Sequence, residues 1–208
     1  MLLKKDLQKL QRELSARDAS RERMLRIVRE ATKLSDIAII HIHRRESKKA
    51  ARLIGEAERS LKLVCEALKD QPQLREHNSI LVAQQELTEA KALFKLVNED
   101  SILSFDESGI SIAPYLLGLL DLIGELRRLT LNHLRHGDVQ KAEKAFSHME
   151  SIYEDLSMLD HTAIIPTFRH KLDTARHIVE ATRGDVVSEV RRLSLEEAIG
   201  KLHLGARQ

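Results

Sequence analysis

Four carboxylates lie within otherwise apolar stretches of the sequence and could bind a cation. Asp121 and Glu125 interrupt the segment YLLGLLDLIGEL, and Glu86 and Glu89 lie in ILVAQQELTEAKALF. Spacings of four and three residues place each pair on one face of a helix. Because an isolated buried carboxylate is costly, such positions require a basic partner or a bound cation.

Two helices that each present two inward acids would form a cluster of four carboxylates. Their mutual repulsion would raise their pKa values unless divalent cations were bound among them. Carboxylate oxygens suit Mg²⁺ or Mn²⁺, and one or two such ions can activate a water and bind a phosphoryl group. The sequence therefore permits a metal site that acts on phosphodiesters.

Two other interpretations of these acids must be weighed. They could form ion pairs with basic residues on neighbouring turns, namely Lys91, Lys95, Arg127 and Arg128. A di-iron carboxylate site is disfavoured, because that site uses Glu-x-x-His pairs and no Glu here has a His three residues later. From spacing alone, the choice between ion pairs and a divalent cation stays open.

The composition predicts an all-α protein. The 208 residues are 42% hydrophobic and 32% charged, with 3% aromatics, three Pro and eight Gly. Abundant helix formers and few helix breakers disfavour sandwiches and barrels. Neither GxGxxG nor GxxxxGK[ST] occurs, which excludes the usual Rossmann and P-loop signatures. The single cysteine, Cys65, excludes a disulfide framework and a cysteine-based zinc site.

Apolar periodicity predicts about seven helices in a single domain over residues 1–208. The predicted helices cover 3–42, 46–69, 73–98, 114–135, 139–159 and 167–182, with another after Gly184-Asp185 and a loop at 99–111. The first helix carries Leu3, Leu7, Leu10 and Leu14 at heptad spacing. Its polar stretch 15–24 either breaks the helix or leaves it exposed. Gly137-Asp138 is predicted to end one helix and cap the next.

Charge is distributed unevenly along the chain. Residues 1–62 hold 17 Lys and Arg against 9 Asp and Glu, whereas the remaining residues are net acidic. A basic N-terminal third indicates either a polyanion-binding face or a solvated helix with internal charge pairs. The N-terminus is too charged for a signal peptide and no stretch approaches 18 uncharged apolar residues, so we expect a cytoplasmic protein.

Three segments resemble the translin/Trax family. The most specific is YLLGLLDLIGELRRLTLNHLRHGD (115–138), in which Tyr115, Leu116, Gly118, Glu125, Leu126, Arg128, Asn132, Gly137 and Asp138 fall on recurrent family positions. Segments 16–44 and 74–104 resemble the family's first and third helices. The resemblance implies an all-helical superhelical fold. It is closest to the catalytic Trax branch, because that branch has a Glu-x-x-Glu pair and an Asp-x-x-x-Glu pair.

Glu86 with Glu89, and Asp121 with Glu125, match those two pairs, and all four positions are filled. The resemblance therefore implies a Mg²⁺- or Mn²⁺-dependent endoribonuclease in which these four residues are both metal ligands and catalytic residues. The alternative is a non-catalytic, translin-like scaffold that binds RNA or single-stranded DNA. A third alternative, a purely structural helical oligomer, would make the basic N-terminal third incidental.

Candidate RNA-binding residues come from the basic third and from positions near the acids. They are His41, Arg44, Arg45, Arg75, His77 and Arg128. The family implies assembly into hollow octamers that enclose RNA, either single-stranded or as a short duplex. The animal Trax subunit has an N-terminal extension and a long insertion where this chain has the short 99–113 loop. We therefore expect an archaeal homologue that assembles with itself.

Overall fold

The computed structural model describes residues 3–69 and 77–205 as almost entirely helical. The helices are α1 (Lys4–His43), α2 (Ser47–Ala67), α3 (Asn78–Glu99), α4 (Phe105–Ser108), α5 (Ile112–Arg135), α6 (Val139–Ser157) and α7 (Phe168–Gly205), with a 3-10 turn at Thr162–Ile164. No strand occurs in these described ranges, and the predicted all-α class with about seven helices is confirmed.

The chain divides into two compact units at the junction between Ile110 and Ser111. We call them the N-terminal unit, with α1 to α4, and the C-terminal unit, with α5 to α7. The prediction of one domain over residues 1–208 stays a prediction.

Helix α1 runs unbroken through its polar segment, and of the two alternatives for residues 15–24 the exposed helix is correct up to residue 23, whereas Met24 is buried. Its inward side chains repeat at alternating steps of four and three residues, as in Met24, Val28, Ala31, Ser35, Ala38 and Ile42. The same register continues backwards to Leu14, Leu10, Leu7 and Leu3, which are 48–71% exposed. Helix α1 therefore has a packed C-terminal half and an exposed N-terminal half that share one seam.

In the N-terminal unit, α1 packs against α2 and α3, and α2 packs against α3. Alanines occupy many of the contact positions and are fully buried, among them Ala31, Ala38, Ala50, Ala57, Ala83 and Ala90. Such small side chains allow helix axes to approach closely. Polar side chains beside these alanines, such as Asp36 on α1 and Glu86 on α3, consequently reach each other.

The segment predicted as a loop between α3 and α5 contains the one-turn helix α4. Ser104 and Glu107 form a reciprocal capping box at its start, and Gly109 ends it with a φ of 64°. Sequence analysis missed this helix because four residues are too few to show a helical periodicity.

In the C-terminal unit, α5, α6 and α7 pack against one another around Ile123, Leu126, Met149 and Phe168, all nearly inaccessible to water. The predicted junction between α5 and α6 is confirmed. Gly137 has a φ of 73°, and the Asp138 side chain accepts a hydrogen bond from the Lys141 N–H.

The predicted helix end at Gly184 is wrong, because α7 continues through it. Thr182 and Val186, on either side, are buried, and Arg127 on α5 spans the glycine. Its guanidinium donates to Thr182 Oγ1 at 2.7 Å and to Asp185 Oδ2 at 3.1 Å. This packing overrides the helix-propensity cost of one interior glycine, about 1 kcal/mol.

Candidate functional site

Glu86 and Glu89 project from α3 in the N-terminal unit. Glu89 is only 8% exposed and Glu86 is half-buried. Thr88, which lies between them in the sequence, and Ala90, which follows Glu89, are fully buried. Three residues apart on a helix, the two carboxylates share a face. This burial confirms that they do not belong to the solvated side of the helix.

A further carboxyl group, Asp36 on α1, lies next to this pair and was not singled out from the sequence. The side chains of Asp36 and Glu86 are hydrogen-bonded. Asp36 as a residue is exposed, but partial desolvation of its carboxyl raises its pKa, and the hydrogen bond to Glu86 acts in the opposite direction. The signal available in the sequence was its place at the head of the apolar run DIAII.

Asp121 and Glu125 project from α5 in the C-terminal unit, and both are half-buried. The carboxylate of Asp121 accepts a hydrogen bond through Oδ1 from the Nζ of Lys171, in the first turn of α7. Glu125 Oε2 lies 3.5 Å from Nη1 of Arg128, one turn further along α5. Each acid of this pair therefore has a basic neighbour, and the sequence analysis missed Lys171.

The basic residues proposed as ion-pair partners are engaged in different ways. Lys91 donates to Glu58 at 2.5 Å and to the Ser108 carbonyl at 3.2 Å. Lys95 binds Glu107 at 2.6 Å, and Arg127 binds Asp185 as described above. Arg128, the fourth of these residues, lies within ion-pair distance of a candidate ligand, Glu125. The ion-pair interpretation therefore holds for the contact between Arg128 and Glu125.

The candidate RNA-binding residues at the end of α1 lie at the turn into α2. His41 Nδ1 hydrogen-bonds to Glu46, which also accepts from Lys49 Nζ at 2.8 Å. These contacts, with Lys49 contributing most, hold the pKa of Glu46 below its usual value. Arg44 and Arg45 are exposed, and Arg45 has a φ of 59°. The turn thus presents two guanidinium groups to solvent while His41 is held by Glu46.

The other candidates are spread over both units. His77 caps α3, because its Nδ1 accepts a hydrogen bond from the Ser79 N–H at 3.2 Å. Arg128 is exposed on α5, beside Glu125. Arg75 lies outside the described residues. Among the helices that the structure describes, none has the length and apolar character needed to cross a membrane.

Comparisons with known proteins agree with this architecture. The uncharacterised protein MJ0175 of Methanocaldococcus jannaschii is 32% identical over 200 residues, which cover 94% of this chain and 87% of that protein. Translin-associated protein X of Rattus norvegicus is 24% identical over 193 residues, 73% of this chain. That alignment spans 66% of the rat protein's length.

Solved structures give the same result. The crystal structure of apo-NeC3PO has a TM-score of 0.79 and 27% identity, and covers 91% of this chain and 99% of its own. The structure of an AfC3PO complex with duplex RNA also has a TM-score of 0.79, at 29% identity, and covers 90% and 98%. A model of the Translin family matches residues 19–181, most of the chain. The resemblance recognised in the sequence is confirmed, and the protein belongs to the Translin family.

Proposed function

We propose that this protein is a metal-dependent endoribonuclease that uses Glu86, Glu89, Asp121 and Glu125 as metal ligands. The observation that carries the proposal is that both acid pairs are held on largely buried helix faces, with Glu89 only 8% exposed. A carboxylate at such a position is costly unless it is paired with a base or bound to a cation.

The donor set fits a hard divalent cation. All four side chains offer carboxylate oxygens, which Mg²⁺ and Mn²⁺ prefer over softer ligands. A bound cation would lower the pKa of a coordinated water and offset negative charge on a phosphodiester. Glu86, Glu89, Asp121 and Glu125 would hold that cation, and one of them could accept a proton from the attacking water.

An RNA substrate is supported by the relatives. The AfC3PO structure that is 29% identical to this chain, with a TM-score of 0.79, is a complex with duplex RNA. The exposed Arg44, Arg45 and Arg128 would bind phosphates, with His41, His77 and Arg75 as further candidates. Such contacts give affinity without sequence readout and weaken as salt rises.

We also propose that the protein assembles with further copies of itself, as an octamer by family resemblance. Leu3, Leu7, Leu10 and Leu14 continue the packed seam of α1 into its exposed half. A seam of this kind is suited to burial against another helix. A cytoplasmic location is likewise part of this proposal.

The test is cleavage of a labelled short RNA, single-stranded and duplex, in Mg²⁺. We expect wild-type protein to cleave, and EDTA or the Glu125→Ala substitution to abolish cleavage. Loss of metal-based stabilisation costs several kcal/mol, or about a thousandfold in rate. Glu143→Ala, which removes an exposed acid from α6 of the same unit, is the matched control and should cleave normally.

Two outcomes would contradict the proposal. Normal cleavage by Glu125→Ala would remove that residue from the ligand set. RNA or single-stranded DNA binding without cleavage by wild-type protein, in either Mg²⁺ or Mn²⁺, would instead establish the non-catalytic scaffold.

A further inference from the structure

Lys171 occupies an inward position in the first turn of α7. It follows the buried Phe168 by three residues and precedes the buried Ala175 by four, so it shares their helix face. Phe168 and Ala175 are 1% and 2% exposed, and the Lys171 side chain is 29% exposed. An ammonium group at such a position needs a compensating partner, because partial desolvation is costly.

That partner is Asp121 on α5. The Nζ of Lys171 donates to Oδ1 of Asp121, whose side chain is 26% exposed. Asp121 also interrupts an apolar run, between the buried Leu120 and Leu122. The C-terminal unit thus contains two charged residues, each at an inward position of its own helix, that meet through a single carboxylate oxygen.

The ion pair described for the second acid of α5 lies within a single helix. Arg128 is 52% exposed and its Nη1 lies 3.5 Å from Glu125. Both residues belong to the same helix, so their contact does not fix Glu125 relative to another element. Lys171, in contrast, reaches Asp121 from a different helix whose first turn is anchored by Phe168.

We propose that Lys171 is the positioning residue for Asp121. By holding Oδ1, Lys171 would restrict the rotation of the Asp121 carboxylate and so keep it oriented as a ligand. This inference rests on the proposed function, since it takes Asp121 as a ligand. Groups that hydrogen-bond to a ligand and orient it typically change metal affinity by about 10- to 100-fold when removed.

The same helix supplies a matched control. Arg183 on α7 donates to Glu150 on α6 at 2.6 Å and 3.0 Å. This contact is also an ion pair between two helices of the C-terminal unit, but neither of its residues is a proposed ligand. Substitution of Arg183 therefore tests whether losing any ion pair between two helices of this unit changes Mn²⁺ binding.

The experiment is Mn²⁺ titration of the full chain, followed by electron paramagnetic resonance of the free ion. We expect Lys171→Met to weaken Mn²⁺ binding by about tenfold or more, Lys171→Arg to restore part of the loss, and Arg183→Met to bind like wild type. Weakening is diagnostic, because removing a positive charge also removes its Coulomb repulsion of the cation, and that change alone would strengthen binding.

Circular dichroism establishes that each variant is folded, and Lys171→Ala, which also removes the donor, replaces Lys171→Met if that variant is not folded. Unchanged or tighter Mn²⁺ binding by the neutral variant would overturn the inference. An equal loss in Arg183→Met would also overturn it, since the effect would then be general. Failure of the proposed function gives a different result: wild-type protein would bind no Mn²⁺, or Asp121→Asn would bind Mn²⁺ as tightly as wild type does.

Discussion

The two acid pairs of this protein lie in different electrostatic surroundings. On α5, Asp121 contacts Lys171 and Glu125 contacts Arg128, so each carboxylate has a basic neighbour. On α3, Glu86 is hydrogen-bonded to a third carboxyl group, that of Asp36. The contacts described for the α3 pair thus include a further acid, whereas both acids of the α5 pair contact a base.

The largest expected effect is stabilisation by the cation. At a Mn²⁺ concentration a hundredfold above its dissociation constant, the free energy of unfolding should rise by about 3 kcal/mol. Urea unfolding with Mn²⁺ and with EDTA measures the difference. Glu86→Gln and Asp121→Asn should each remove most of it.

If Glu86→Gln kept the full Mn²⁺-dependent rise in the free energy of unfolding, the assignment of the α3 pair as metal ligands would be contradicted. Glu143→Ala is again the control, because its exposed carboxylate lies on α6 and takes no part in the proposed site.

In the metal-free protein, neutralising one acid of each pair should affect the free energy of unfolding differently. Glu86→Gln offers Asp36 an amide donor in place of a second acid, so we expect stability to be unchanged or slightly higher. Asp121→Asn leaves the half-buried Lys171 without its carboxylate and should destabilise the C-terminal unit by about 1 kcal/mol. Urea unfolding in EDTA measures the free energy of unfolding of both variants. Equal losses in Glu86→Gln and Asp121→Asn would contradict the predicted difference between the two acid pairs.

The Arg128→Met substitution tests whether the exposed guanidinium group beside Glu125 binds RNA. Because it is 52% exposed and only loosely paired, Arg128→Met should change protein stability little. If it binds a phosphate, RNA affinity should fall about threefold and the slope of log affinity against log salt should decrease by about one. Fluorescence anisotropy over a salt series measures both, with Arg183→Met as control. An unchanged slope would exclude Arg128 from the RNA contact.

Much of the fold was predictable from local pattern. Gly137 and Asp138 determine their own turn through a positive φ and a capping side chain. The apolar periodicity gave most of the helices. The prediction of a helix end at Gly184 was wrong because the helix-propensity cost of one glycine is small. The burial of Thr182 and Val186 and the hydrogen bonds of Arg127 outweigh that cost.

The candidate site was predictable only in part. Asp121 and Glu125 stand out because they interrupt an apolar run, and Glu86 and Glu89 because of their spacing of three residues, but the partners of Asp121 and Glu86 come from other helices. Lys171 is 50 residues from Asp121, and Asp36 lies on α1, so neither contact has a sequence spacing that reveals it. His77 also shows a limit of sequence reasoning, since its capping bond to Ser79 is a structural role that its residue type did not indicate.

The smallest expected effect concerns an acid of the N-terminal unit that, unlike Asp36, has a lysine partner. Lys95 and the capping box with Ser104 lower the pKa of Glu107 to about 2. Because this folded-state pKa lies below the usual value of 4.5, its stabilising contribution is present above pH 4.5 and is lost as the pH falls towards 2. NMR titration should show the Glu107 pKa rising in Lys95→Met, while that of Asp36 stays above its ordinary value. A Glu107 pKa that does not respond to Lys95→Met would show that the capping box alone sets it, and that a lysine neighbour is not what separates the two kinds of acid.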